Sequence, residues 1–345
     1  MCAVRIDVHH HLLSPQYVKE LANVGVVESG GVPFPQWRPE DSLTMMDRQG
    51  IDTALLSVSS PGLCFGNGVR VREIARSLNE FAAQCQTRWP ERFGFFATLP
   101  LPDVESTLAE IAYALDVLHA DGIGLLSNYA GVYLGDPAFD AIFAALDRRA
   151  AVVFIHPTVF TGREIPAAKN AGSPIPTLPG FMLEFVFDTT RAVANLVLSG
   201  TLKKYPRIRI ILSHAGGTVP FVANKIVSGA IMTRCPQVLT GQTTLPQADM
   251  LAEKMRAIRD DVFDQLQGLY YDTALSANAH ALSSLQQLVP ASHMLLGTDY
   301  PFAPEREAHT TLNGIASAVG LSEQDRQAIE GNNAFQLFPR RHASE

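Results

Sequence analysis

AVVFIHP, Ala151–Pro157, sets five apolar residues in a row and then ends on a histidine and a proline. No polar residue breaks the run, so neither face of the segment is built for water. A short run rich in Val, Ile and Phe, closed by a proline, reads as a strand buried on both faces. Such strands belong to parallel sheets, whose crossover helices cover both sides. The pattern recurs along the chain. VRIDVH (Val4–His9), DTALLSVSS (Asp52–Ser60), RFGFFATLP (Arg92–Pro100) and GIGLLS (Gly122–Ser127) precede it. RIRIILSH (Arg207–His214), GLYYDTA (Gly268–Ala274) and HMLLGTDYP (His293–Pro301) follow it.

Helical patterns fill the intervals. One spans about residues 70–89. Another opens near Asp103, with Leu108, Ile111, Leu115 and Leu118 at helical spacing. A third covers about 137–149. Others begin near Gly180 and within GGTVPFVANKI (Gly216–Ile226), and 236–265 reads as a peripheral helix. Residues 14–50 and 157–180 read as insertions over one face. Eight strand–helix units in 345 residues predict an α/β fold, a (β/α)₈ TIM barrel with insertions over its C-terminal face. Residues 1–345 would form one domain. A doubly wound open sheet is the alternative, but no Gly-x-Gly-x-x-Gly follows a strand, so a dinucleotide site has no support.

Composition narrows the function. Net charge is −7 and the basic residues are scattered, which argues against a nucleic-acid partner. No apolar run reaches membrane-spanning length, and no charged-then-apolar leader opens the chain. Cys2, Cys64, Cys85 and Cys235 follow no metal or disulfide spacing. The expectation is a cytoplasmic enzyme with reduced thiols.

In a parallel barrel the active site lies at the C-terminal strand ends. Strand one ends in His9, His10 and His11. On an extended chain His9 and His11 share a face and His10 points the other way. Strand five ends on His156, strand six on His214 and strand eight on Asp299. One buried histidine at a strand end is usually structural; five ligand-competent residues at one mouth point to a metal. Imidazoles with one carboxylate suit Zn²⁺ first, and also Mn²⁺, Fe²⁺ or Co²⁺. His9, His11, His156 and Asp299 are the expected ligands, with a position open for water or substrate. His214 is either a further ligand or an acid/base beside the ion. Strand four ends in LLSN, with no Lys or Glu to bridge two ions, so one ion is expected.

DVHHH (Asp7–His11), HP (His156–Pro157), SHAGG (Ser213–Gly217) and GTDYP (Gly297–Pro301), in that order, resemble the amidohydrolase superfamily. The likeness extends through MMDRQGIDTALLSVSSP (Met45–Pro61), RFGFFATLPLPD (Arg92–Asp103), the stretch Phe187–Phe221 and GNNAFQLF (Gly331–Phe338). These segments resemble the branch typified by aminocarboxymuconate-semialdehyde decarboxylase. Within it the chain is most similar to 6-methylsalicylate decarboxylases, partly through GGVPFPQW (Gly30–Trp37). The resemblance implies a (β/α)₈ barrel, one divalent metal and a homodimer. It implies non-oxidative cleavage of a carboxylate from an aromatic or enol acid. It places the metal ligands on His9, His11, His156 and Asp299 and the catalytic histidine on His214. The arginines that the muconate enzyme uses have no counterpart in Glu28–Trp37, which points away from a muconate substrate.

The expected substrate is a small ortho-hydroxy aromatic acid, chelated through its carboxylate and its neighbouring oxygen. Asp299 or His214 would deliver the proton to the ring carbon. Phe34, Trp37 and Phe302 would contact the ring, and Arg163 and Arg191 could pair with its anion. The rival reading is a hydrolase of a lactone, ester or amide, with a metal-bound water as nucleophile and His214 as base.

Overall fold

The computed structural model describes residues 4–63, 68–158, 178–239 and 245–342. Eight strands form one sheet: β1 (Ile6–His11), β2 (Thr53–Ser57), β3 (Phe93–Ala97), β4 (Gly122–Leu126), β5 (Val152–His156), β6 (Arg209–Leu212), β7 (Tyr270–Asp272) and β8 (Met294–Leu295). They lie side by side in chain order, and every pairing is parallel. Seven fall inside the apolar runs expected to be strands, and β1 extends two residues beyond its run, to His11. Backbone bonds close the circle: Val8 N–H donates to Leu296 O (2.9 Å) and His11 N–H to Tyr300 O (2.7 Å). Asp299 N–H donates to His9 O (2.7 Å). The sheet is therefore a barrel, not the open doubly wound alternative.

The longer helices are α1 (Pro15–Asn23), α2 (Pro39–Gln49), α3 (Val69–Arg88), α4 (Val104–Ala112), α5 (Asp140–Arg148), α6 (Glu184–Leu198), α7 (Val219–Arg234), α8 (Leu245–Gln267), α9 (Ala279–Leu288) and α10 (Glu305–Ser317). Local chemistry sets their ends. The Asp103 carboxylate caps α4 by accepting Ser106 N–H (3.1 Å). Gly50, left-handed at φ 65°, stops α2. The helix expected near Gly180 starts at Glu184 instead. Phe181 N–H is taken by Gly30 O (3.1 Å), so the chain turns there before it coils. In α8, Ile258, Val262 and Leu266 repeat every four residues and are buried, which gives the expected peripheral helix its one apolar stripe.

Inside the barrel, Ile6, Val8, Leu55, Phe96, Val152, Phe154, Ile211 and Leu295 pack together over Ala334, Leu337 and Phe338. Phe96 stacks on Phe154 with ring centres 5.3 Å apart and meets Phe338 edge-on at 5.8 Å. This plug fills the N-terminal end, so the barrel is a packed core rather than a pore. The histidines of β1 and β5 stand at the other end.

Candidate metal centre

The centre begins with an irregularity in β1. Ile6 and Val8 face the barrel interior, so plain alternation would turn His10 inward as well. It does not, because Val8 and His9 together oppose Leu55 alone in the pairing with β2. This bulge shifts the alternation by one, and His9 and His11 face inward. The Asp7 carboxylate holds it in place. It accepts His9 N–H (3.0 Å), Thr298 N–H (3.0 Å) and the Thr298 hydroxyl (2.6 Å). His10 lies outside, bonded through Nδ1 to Asp7 (2.9 Å) and through Nε2 to Ser42 Oγ (2.7 Å). Ser42 Oγ also accepts the Trp37 indole N–H (2.7 Å). The buried network ties β1 to α2 and leaves none of these ring nitrogens without a partner.

His9, His11, His156 and Asp299 offer four ligand atoms that all lie within 4.8 Å of one another, and all four residues are buried. His9 Nε2 is 3.0 Å from His11 Nε2 and 3.3 Å from Asp299 Oδ1. His11 Nε2 is 2.9 Å from the same oxygen. Donors that each sit ~2.1 Å from one shared ion are roughly 3 Å apart, so the spacing fits a single first-row divalent cation.

The groups behind the donors fix which nitrogen faces inward. His9 Nδ1 donates to Asp272 Oδ2 (2.7 Å), and His156 Nδ1 donates to Pro157 O (2.8 Å). Nδ1 is thus the outward donor of both rings, and Nε2 is the nitrogen turned toward the other ligand atoms. His11 Nδ1 is held by Ser57, 3.0 Å from its hydroxyl and 3.3 Å from its carbonyl. Burial, with the neighbouring histidines, keeps the His156 pKa well below its usual value. Burial also lowers that of His11. In His9 burial opposes the charge, but Asp272 and then Asp299 outweigh it and push its pKa up to about 10. Burial likewise works against the Asp299 charge, yet His9, His11 and His214 hold its pKa well below the carboxylate range. Two buried carboxylates thus draw positive charge to this spot. A divalent cation meets that demand better than a proton does.

Asp272 has no place among the expected site residues, and it is central. Its Oδ1 accepts both His214 N–H and Ala274 N–H (2.9 Å each), while Oδ2 holds His9. The signal was present in YYDTA: Asp272 ends strand seven as His156 ends strand five. Gly297 makes room beside it, because a Cβ there would stand 2.8 Å from His9 Cβ and 3.1 Å from Asp272 Cβ.

His214 and Ala215 both take left-handed backbone, at φ 52° and 54°. Gly217 completes the turn at φ 65°, where any Cβ would lie 2.1 Å from Val186 O. The turn places His214 Nε2 3.4 Å from Asp299 Oδ2. Its Nδ1 is buried with no hydrogen-bond partner among the described residues. Unlike the other three inward-facing histidines, His214 is not anchored through Nδ1.

Aromatic rings surround the mouth. Phe302 meets His11 edge-on at 5.5 Å, and Phe34 meets Phe302 at 6.3 Å. Phe185, unforeseen from the sequence, meets His156 edge-on at 5.8 Å. Trp37 is placed elsewhere: it is 4% exposed, bonded to Ser42 behind His10 and edge-on to Phe81 at 6.4 Å. Arg191 is exposed on α6, its guanidinium 5.4 Å from the Tyr133 ring, and makes no contact with the histidine–aspartate group. Arg163 lies outside the described residues. Among the described residues, no Lys or Arg forms an ion pair with the group.

The amidohydrolase family model matches residues 6–340. Decarboxylase yanB of Aspergillus niger is 36% identical, over 97% of this chain and 88% of its own length. The 6-methylsalicylic acid decarboxylase of Penicillium expansum is 34% identical, over 97% of this chain and 96% of its own. A solved dihydroxybenzoic acid decarboxylase from Polaromonas, holding manganese, shares the fold. It has a TM-score of 0.73 at 21% identity and covers 97% of both chains. A match across almost the whole barrel, with these residues gathered at its C-terminal mouth, makes this chain a member of the amidohydrolase family.

Proposed function

We propose that the protein is a metal-dependent decarboxylase that releases CO₂ from a small ortho-hydroxy aromatic acid of the 6-methylsalicylate type, leaving a phenol. The observation that carries this reading is the buried three-histidine, one-aspartate group, set beside a histidine whose Nδ1 has no partner among the described residues and flanked by phenylalanines. The relatives at 34–36% identity support the reaction class. The test is direct. Metal-loaded protein given 6-methylsalicylate should yield CO₂ and 3-methylphenol in equal amounts.

His9, His11 and His156 through Nε2, and Asp299 through its carboxylate, are the proposed ligands. When bound, the ion supplies a Lewis acid that anchors the substrate carboxylate and hydroxyl and spreads charge from the ring. Asp299, between His11 and His214, is placed to take the hydroxyl proton as the substrate binds. His214 then delivers a proton to the ring carbon that bears the carboxylate. The C–C bond breaks, its electron pair returns to the ring, and CO₂ departs. Phe34 and Phe302 are the proposed ring contacts, while Trp37 supports β1 from behind. Phe185 guards the His156 side.

Three imidazoles and a carboxylate are ligand types that zinc favours, so we take the ion as Zn²⁺. Elemental analysis should find about one zinc per chain, and His9→Ala should lose most of it. Stoichiometric manganese, the ion in the Polaromonas protein, would reverse the choice of metal. We take the whole of 1–345 as one catalytic domain and the active form as a homodimer. Phe187 and Phe221, 57% and 84% exposed on α6 and α7, offer an apolar face for a second copy. A reducing, cytoplasmic setting suits Cys85 and Cys235, which are both free and buried. No helix among the described residues is long and apolar enough to cross a membrane.

A further inference from the structure

We propose that Asp188, on α6, is a positioning residue for the metal centre and acts on His156 through the peptide bond between Pro157 and Thr158. The inference rests on the metal reading above. Each inward-facing ring of the proposed ligand set needs a group that fixes its orientation. Asp272 does this for His9 and Ser57 for His11. His156 alone has no side-chain partner on Nδ1; it donates to Pro157 O at 2.8 Å. That carbonyl belongs to the same peptide unit as Thr158 N–H. The N–H end donates to Ser127 Oγ (3.0 Å) and to Asp188 Oδ2 (3.3 Å).

The result is a chain of carboxylate, peptide and imidazole. A carboxylate at the N–H end of an amide draws its hydrogen and enriches its oxygen, which strengthens that oxygen as an acceptor. The enriched carbonyl then holds His156 in the Nδ1–H form and makes Nε2 a better donor to a metal. Asp188 is 9% exposed and has no Lys or Arg ion-pair partner among the described residues. Its charge is met by hydrogen-bond donors: Ser127 Oγ, Asn128 Nδ2 (3.1 Å) and Thr158 N–H on Oδ2, and Tyr133 OH (2.5 Å) on Oδ1. The rest of the segment is fixed too. His156 O accepts Ser127 N–H (2.9 Å), and Thr158 O accepts Asn128 Nδ2 (3.0 Å). The peptide is thus clamped on both sides, and the carboxylate supplies the polarity.

The test is metal affinity, not turnover. Zinc dissociation constants are measured by competition with a chromophoric chelator, and visible spectra are recorded with Co²⁺ in the site. Asp188→Ala should raise the dissociation constant ~10- to 100-fold and shift the Co²⁺ bands, the usual scale for losing an outer partner of a ligand. Asp188→Asn keeps an acceptor but loses the charge, and should fall between wild type and Asp188→Ala. Tyr133→Phe removes only a bond to the other oxygen and should stay within about threefold of wild type on the same scale. If Asp188→Ala does not fold, Asp188→Asn alone decides. A folded Asp188→Asn with wild-type affinity and wild-type Co²⁺ bands overturns the inference. Wild-type protein that binds no metal would instead sink the metal reading itself, so the two failures are distinct.

Discussion

His214→Ala should keep its metal and lose about 10²- to 10⁴-fold in kcat, the range a positioned proton carrier supplies. His214 stands outside the four-residue ligand group, yet its Nε2 is 3.4 Å from Asp299 Oδ2. Its backbone N–H is fixed to Asp272, while its ring Nδ1 has no partner among the described residues. A structural histidine would have both ring nitrogens satisfied, as His10 does with Asp7 and Ser42. A group that gives up and regains a proton each cycle works better unanchored. Metal content and single-turnover rates measured on one preparation separate the roles. A metal-loaded variant with wild-type kcat would remove His214 from the chemistry. A variant that loses its metal would make it a fifth ligand.

2-Methylbenzoate, which is 6-methylsalicylate without its hydroxyl, should give no detectable CO₂ under conditions where the parent acid is consumed. The hydroxyl serves twice. It completes a chelate with the carboxylate, and as a phenolate it pushes charge onto the ring carbon that must take the proton. The second role is strongest in the transition state, so its loss falls on kcat as well as KM. Turnover of the hydroxyl-free acid at even a hundredth of the parent rate would contradict chelation.

Much of this was legible in the sequence because parallel barrel strands carry a strong local signal. Runs such as AVVFIHP are apolar on both faces, and their last residues must project into the mouth. His156 and Asp299 follow from that rule alone, and Asp272 should have, since YYDTA ends in the same way. The bulge in β1 was not legible. Its cause is the Asp7 carboxylate reaching Thr298, 291 positions away in sequence, and no window of residues contains both. Trp37 lies away from the mouth for a related reason. An aromatic residue on an insertion looks available to a ligand, but this one is claimed by Ser42, whose hydroxyl is shared with His10. Asp188 and Phe185 sit on a helix rather than a strand end, so the strand-end rule does not reach them. Their roles depend on α6 crossing the β4–β5 side of the mouth, which only the folded chain reveals.

The most direct measurement of the central claim is the reaction of metal-loaded enzyme with 6-methylsalicylate in D₂O, followed by mass spectrometry and NMR of the product. Proton delivery to the ring carbon as CO₂ leaves predicts 3-methylphenol with one deuterium, located at the carbon that carried the carboxylate. Unlabelled phenol, or label spread over other ring positions, would contradict that step. If every hydroxybenzoate is left untouched while lactones or esters are opened to acids, the site is a hydrolase and the decarboxylase account is wrong.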